Sequence, residues 1–240
     1  MNNPSIIAMI PARIGSTRLP FKNLALVGGH PMMSYAVRAA REAEVFDRIV
    51  VNGDHPAFAQ VAARYGAEFY MRPGELGSSH TQSDDVVLDF MRKHPAEIVA
   101  WVNTINPLQG GEELRAMVDH FLAEGLDSMI SVERKQVHCM MGGEALNFSP
   151  KAKFDRTQDL VPVESFAYSL MIWRSRVFQA EMEARGHAFF CGKFGTCPVS
   201  KLAAIVIKTE EDLLLADGLL RAMEIAPPEL AYDPLTPTRD

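Results

Sequence analysis

Arg13, Arg18 and Lys22 fall within one short segment, IPARIGSTRLPFKN (10–23), together with Gly15, Ser16 and Thr17. Three positive charges beside two hydroxyls suit an anion with several oxygens, because charge-assisted hydrogen bonds to phosphate are among the strongest a protein makes. Gly15 is expected to let the backbone turn tightly. The segment follows an apolar run, and in an open parallel sheet ligands sit beyond the carboxyl ends of strands. Neither G-x-x-x-x-G-K-[ST] nor G-x-G-x-x-G is present, which argues against a P-loop NTPase and a dinucleotide Rossmann site. The competing reading is a solvated basic loop whose cations pair with surface carboxylates.

Other residues with chemical potential carry weaker signals. Asp54 in VNGDH either reaches the site from the end of a strand or caps the helix that follows at Pro56. His55 and His80 are acid/base candidates without an evident partner, so surface histidines are the simpler reading. Glu210, Glu211 and Asp212 favour a helix N-terminus with Thr209 as cap; metal binding is the alternative there. Met32, Met33, Met140 and Met141 read as packing residues. Cys139, Cys191 and Cys197 are odd in number and lack the close pairing of zinc or thioredoxin motifs, so reduced structural thiols are expected.

These residues need a scaffold, and the rest of the sequence describes one. Ser5–Ile10, Arg48–Asn52, Glu68–Met71, Ile98–Val102, Ser128–Val132, Leu170–Trp173 and Ala203–Ile207 read as strands. Pro31–Ala43, Pro56–Tyr65, Ser83–Lys93, Glu112–Ala123 and Glu210–Met223 read as helices. In the fourth helix Leu114, Met117, Val118, Phe121 and Leu122 share one face, and Gly125 supplies the stop. Strand and helix in alternation imply an α/β fold with a mostly parallel sheet covered on both faces. Glu133–Glu164 has no clean period and reads as an excursion from the sheet, while the proline-containing tail after Pro227 is expected to wrap or fray.

Composition narrows the partners. The 240 residues are 48% hydrophobic and 22% charged, the profile of an ordinary globular chain. A formal net charge of -6 disfavours nucleic-acid binding through a broad basic surface, and a local basic loop then points to a small anion. No stretch approaches about 18 continuous apolar residues, and no signal-peptide pattern opens the chain, so no membrane association and a cytoplasmic location are expected.

The spacing P-A-R-x-G-S-x-R-L-P-x-K-N resembles the nucleotide-binding signature of the acylneuraminate cytidylyltransferases, the CMP-sialic acid synthetases. Ile14 and Thr17 stand where that family has a second glycine and a basic residue. The resemblance continues through NLALVGGHPMMSYAVRAA, YGAEFYMRPGEL, DDVVLDF, VNTINPLQ, DSMISV, TQDL and TEEDLLLAD. It spans nearly the whole chain and is strongest up to about Val132.

The resemblance implies a single three-layer Rossmann-like nucleotidyltransferase domain over 1–240, with a protruding dimerisation arm at about 133–165 and a homodimer. It implies transfer of CMP from CTP to a 2-keto sugar acid such as sialic acid, with release of pyrophosphate. Arg13, Ser16, Arg18 and Lys22 would line the triphosphate, Arg13 and Lys22 in catalytic roles. Pro11 and Ala12 would offer backbone to the base, and Asn23, Arg72 and Ser83 would lie near cytosine and ribose. Asn103, Gln158 and Tyr168 would face the acceptor. The family holds Mg²⁺ with an Asp-x-Asp pair before its last helix; aligned on Glu211, Asp212 and Leu213, that pair falls on Val206 and Lys208. Mg²⁺ is then expected to arrive with CTP, held by few protein ligands. The acceptor side also departs. Gln109 replaces the arginine of the family's Leu-Gln-Pro motif, and Ala167-Tyr168, or Tyr168-Ser169, replaces Asn-Gly. Two readings follow: a cytidylyltransferase with a non-standard acidic acceptor, or a catalytically silent paralogue that binds nucleotide or sugar nucleotide as a partner or regulator.

Overall fold

The computed structural model describes residues 4–78 and 80–225. The first strand, β1 (Ile6–Ala12), is buried along nearly its whole length and sits in the middle of a seven-stranded sheet. Alternate side chains serve opposite layers. Ile6, Ala8, Ile10 and Ala12 pack with helices α1 (Met32–Ala43), α2 (Ala57–Tyr65) and α4 (Gly111–Ala123). Ile7 and Met9 pack with α3 (Ser83–Lys93) and α5 (Ser175–Arg185). A strand buried on both faces needs a continuous apolar run rather than strict alternation, and IIAMIPA supplies it.

The sheet order is β11-β7-β10-β6-β1-β4-β5. The other members are β4 (Arg48–Gly53), β5 (Glu68–Met71), β6 (Ile98–Val102), β7 (Ser128–Lys135), β10 (Val163–Arg174) and β11 (Phe194–Pro198). Neighbouring pairs are parallel except where β10 lies antiparallel to β6 and β7. Two small hairpins stand apart: β2 (Leu26–Val27) with β3 (His30–Pro31), and β8 (Met140–Met141) with β9 (Glu144–Ala145). The closing helix is α6 (Glu210–Ile225). The chain runs outward from β1 to β4 and β5, then returns to its other side at β6. That reversal opens a crevice at the carboxyl ends of β1 and β6.

Several expectations change. Ala203–Ile207 joins no ladder; it is a turn followed by irregular chain, because its backbone is pinned to Ser200 and Ile105 instead of to a neighbouring strand. The edge strand is Phe194–Pro198, whose sequence FGTCP has little apolar content. Ser175–Arg185 is a helix that the pattern left unassigned, with only Phe178 as a large buried apolar anchor. The excursion begins later than Glu133: Glu133–Lys135 pair with Val163–Ser165 as extensions of β7 and β10. Met32 and Met33 are buried as expected, but Met140 and Met141 are 63% and 70% exposed on their short hairpin and are not packing residues of this chain's core. Gly125 does end α4, at φ +58, with Leu126 N–H returning to Phe121. The tail after Pro227 lies outside the described residues.

All three cysteines are free thiols, and burial raises the Cys191 thiol to about 11. Thr209 and Asp212 form a reciprocal cap at the start of α6: Asp212 Oδ2 accepts from Thr209 N–H at 2.8 Å, and Asp212 N–H donates to Thr209 Oγ1 at 3.3 Å.

Candidate active site

The segment after β1 is held by side chains that approach it from three other loops. Asn23 Nδ2 donates to the Arg13 carbonyl at 3.0 Å, while its Oδ1 accepts from Thr104 Oγ1 at 2.7 Å. One buried amide thus ties the two ends of the basic loop together and to the chain beyond β6. Asp54 supplies the second tie. Its Oδ1 accepts from Ile14 N–H at 2.9 Å, and its Oδ2 lies 3.4 Å from Arg72 Nη2. Arg72, itself 5% exposed, also donates to the carbonyls of Ala12 and Asn52 at 3.2 and 3.3 Å. Burial holds its guanidinium below the usual arginine value, and the Asp54 carboxylate opposes that shift.

Asp54 therefore fixes the loop from below and does not cap α2; His55 Nδ1 accepts from Ala57 N–H at 3.2 Å instead. Gly15 also differs from expectation. Its φ is not positive and an added Cβ would meet nothing within 4 Å, so neither turn nor space requires glycine. The left-handed residue is Phe21, at φ 52, just before Lys22. His55 and His80 are both exposed.

The ties leave the cations facing a cleft of about 260 Å³. Pro11, Ala12, Arg13, Ser16, Lys22 and Asn23 line one side. Arg72, Ser83 and Asn103 line the rest, with Ser78, Thr81, Trp101 and Thr104, which sequence reasoning missed. The hydroxyl-rich run SSHTQS (78–83) at the start of α3 is the signal for Ser78 and Thr81, and it is a weak one. Arg13 Nη1 donates to the Ser78 carbonyl at 3.3 Å, closing the cleft on that side. Arg18 is exposed and outside the lining, yet near enough to act on Lys22. Lys22 is pushed down to about 8, first by burial and then by the charges of Arg18, Arg13 and Lys208.

Lys22 Nζ also donates to the Ile207 carbonyl at 3.3 Å. Ile207 is fully buried with Leu19, Val27, Met32 and Ala216, and its N–H donates to the Ile105 carbonyl at 2.9 Å. This small satellite core brings the chain before α6 to the basic loop, where the charge of Lys208 acts on Lys22, while neither Val206 nor Lys208 lines the cleft.

The expected acceptor residues are not brought together. Asn103 lines the cleft and its N–H donates to the Ser169 carbonyl at 3.0 Å. Gln158 is exposed outside the cleft lining, its carbonyl accepting from Gln136 Nε2 at 2.9 Å. Gln109 is buried and turned to α4, donating to Glu113 Oε2 at 2.8 Å. Tyr168 also lies outside the lining, in an irregularity of β10 between Phe166 and Met171, with φ 59. Its ring meets Phe166 edge-on at 5.8 Å. Since glycine adopts that backbone freely, the register placing Tyr168 at the glycine of Asn-Gly is the one the chain geometry suits.

With this geometry in hand, comparison with known proteins is informative. The family model described as cytidylyltransferase matches residues 7–169. The N-acylneuraminate cytidylyltransferase A of Danio rerio is 31% identical over 131 residues, 54% of this chain and 30% of that protein. The 3-deoxy-manno-octulosonate cytidylyltransferase of Synechococcus elongatus is 29% identical over 160 residues, 61% of this chain and 64% of that protein. The matches thus span less than two thirds of either relative's length. A solved structure of CMP:2-keto-3-deoxy-manno-octonic acid synthetase complexed with CTP has the same fold, with a TM-score of 0.68 at 16% identity over 91% of this chain and 99% of that one.

Proposed function

The chain belongs to the cytidylyltransferase family, and from that premise we propose that it transfers CMP from CTP to a sialic-acid-like 2-keto sugar acid or a related acid, releasing pyrophosphate. The observation that carries this reading is the cleft itself: Arg13 and Lys22 face it from a loop whose backbone is fixed by Asn23, Asp54 and Arg72. Arg13, Ser16, Arg18 and Lys22 serve the triphosphate. Pro11 and Ala12 present backbone to the base, with Ser83 and Asn103 towards the ribose and acceptor. Asn23 and Arg72 act by holding that frame, since their polar atoms are engaged with Arg13, Thr104, Ala12 and Asn52.

In this reading the acceptor oxygen attacks the α-phosphorus in line, and pyrophosphate leaves as negative charge builds on its oxygens. Arg13 and Lys22 stabilise that charge from fixed positions. Mg²⁺ would arrive with CTP and supply positive charge to its phosphates, with no protein carboxylate assigned to it. The relatives' names, one for an N-acylneuraminate and one for a 3-deoxy-manno-octulosonate, support an acidic sugar as the acceptor class. The exposed Met140, Met141, Phe154 and Val161 between β7 and β10 support an arm that packs on a second copy; a solution mass twice that of the chain is expected.

The test is pyrophosphate release from CTP and Mg²⁺ with a panel of 2-keto sugar acids. Lys22→Ala is expected to lower the rate about 10²–10³-fold, the usual cost of removing one stabilising donor. If no acceptor gives pyrophosphate above the Lys22→Ala background, the enzymatic reading fails.

A further inference from the structure

Arg13 and Lys22 line the cleft, and Arg18 and Lys208, outside its lining, lie near enough for their charges to act on Lys22. Among the described residues, none of Arg13, Arg18, Lys22 and Lys208 forms an ion pair. Asp212 is the nearest acid to act on Lys22, but its Oδ2 accepts from Lys208 N–H, Thr209 N–H and Thr209 Oγ1 at 2.8, 2.8 and 3.0 Å. That carboxylate starts α6, and its single negative charge also acts on Lys208 and Lys22, leaving the four cations in excess.

Lys208 is placed there by its neighbour rather than by chance exposure. Ile207 is locked by its buried side chain, by its N–H to Ile105 and by its carbonyl to Lys22 Nζ. Residue 208 therefore follows directly on the carbonyl that Lys22 Nζ contacts, and its charge is felt at Lys22. A like-charged cluster of this kind favours an incoming polyanion, which offsets the repulsion among its members.

A protein-held divalent cation does not fit the same place. Val206 offers no side-chain oxygen, Lys208 brings positive charge, and Asp212 Oδ2 is occupied. Among the described residues no three His, Cys, Asp or Glu side chains gather in a metal-binding group.

We propose that Lys208 is a direct ligand of the nucleotide's polyphosphate and supplies the neutralising charge that a protein-bound divalent ion would otherwise bring, so that nucleotide binding here is independent of divalent metal. The inference rests on the nucleotide reading of the cleft given above. It adds a residue and a metal-free mode of binding to that reading. Lys208 contributes its ammonium without the ligand geometry a metal requires, and it reaches from the segment that Ile207 holds in place.

Calorimetric titration of CTP into the full chain decides it, run once with EDTA and once with MgCl₂. Wild type is expected to bind in EDTA within about threefold of its affinity in Mg²⁺. Lys208→Gln is expected to weaken binding in EDTA about tenfold or more, the loss of one charge-assisted hydrogen bond. Lys208→Arg retains most of the affinity. Lys93→Gln, an equal change of charge at the exposed end of α3, leaves it unchanged. Binding that appears only with Mg²⁺, or a Lys208→Gln protein with unaltered affinity in EDTA, overturns the inference while sparing the nucleotide reading. No CTP binding in either buffer overturns both.

Discussion

The basic loop that faces the cleft and the irregularity of β10, which lies outside the cleft lining, are built on opposite plans. On the basic-loop side the buried polar groups are bonded inward: Asn23 to Arg13 and Thr104, Asp54 to Ile14 and Arg72, Arg72 to Ala12 and Asn52. Only the cations are left to face outward. On the β10 side the irregularity at Ala167–Tyr168 places a tyrosine at φ 59 next to exposed rings of Phe166 and Phe190. The difference suits the roles proposed for the two regions, polyphosphate at the loop and acceptor near β10. Mutually repelling cations stay in register only when a rigid frame opposes their repulsion, whereas aromatic faces bind by contact area and tolerate displacement. Substitutions near β10 are therefore expected to leave the frame undisturbed.

Removing one strut of the frame is the severest test of that contrast. Asp54→Ala would leave Arg72 buried and unpaired, where side-chain exposures are only 4% and 7% in the pair, and would orphan Ile14 N–H. Breaking such a buried pair costs about 3–5 kcal/mol. A denaturant midpoint shift of that size is expected; a loss under about 1 kcal/mol would mean the frame is not what holds the loop.

A smaller effect separates the frame from its cargo. Lys22 titrates at about 8 in the folded protein against an ordinary 10.5, so the folded state binds fewer protons than the unfolded one between those values. Stability from this group accordingly rises across that window, as the repelling charge is shed. CTP affinity moves the other way, falling several-fold from about pH 7.5 to pH 9.5 as the same charge is lost. Parallel pH series of melting temperature and CTP affinity check the opposite signs, and a common direction would break the assignment.

The smallest effect is predicted at the β10 irregularity. Tyr168→Gly relieves a left-handed backbone worth about 1–2 kcal/mol but loses ring contact and chain stiffness, so stability should change by less than about 1 kcal/mol. The acceptor KM is expected to shift while CTP affinity does not. A shift in CTP affinity instead would join two sides that the comparison separates.

Residues whose roles are local were legible before folding. The run IIAMIP, the amphipathic faces of α1 to α4 and the Thr209–Asp212 cap each follow from neighbours a few positions apart. The cleft residues Arg13, Ser16 and Lys22 were legible for the same reason, all lying on one loop. The ties of Asp54 were not: its reach to the site was one of two readings, and its partners Ile14 and Arg72 lie 40 residues before it and 18 after it. Nor was FGTCP as a strand, since its place at the sheet edge comes from pairing with β7 rather than from apolar content. Ala203–Ile207 misled in the opposite sense: its apolar residues serve the satellite core at Ile207, not a ladder.

The contact between Lys22 and Ile207 spans 185 positions of chain. Closing so long a loop is entropically late, and contacts of this separation form after the local βα units they join. During synthesis the basic loop is made early, yet its cations gain their full arrangement only once residue 208 has left the ribosome and α6 has docked. Until then the chain carries a half-built anion trap, and the docking of α6 is what arms it.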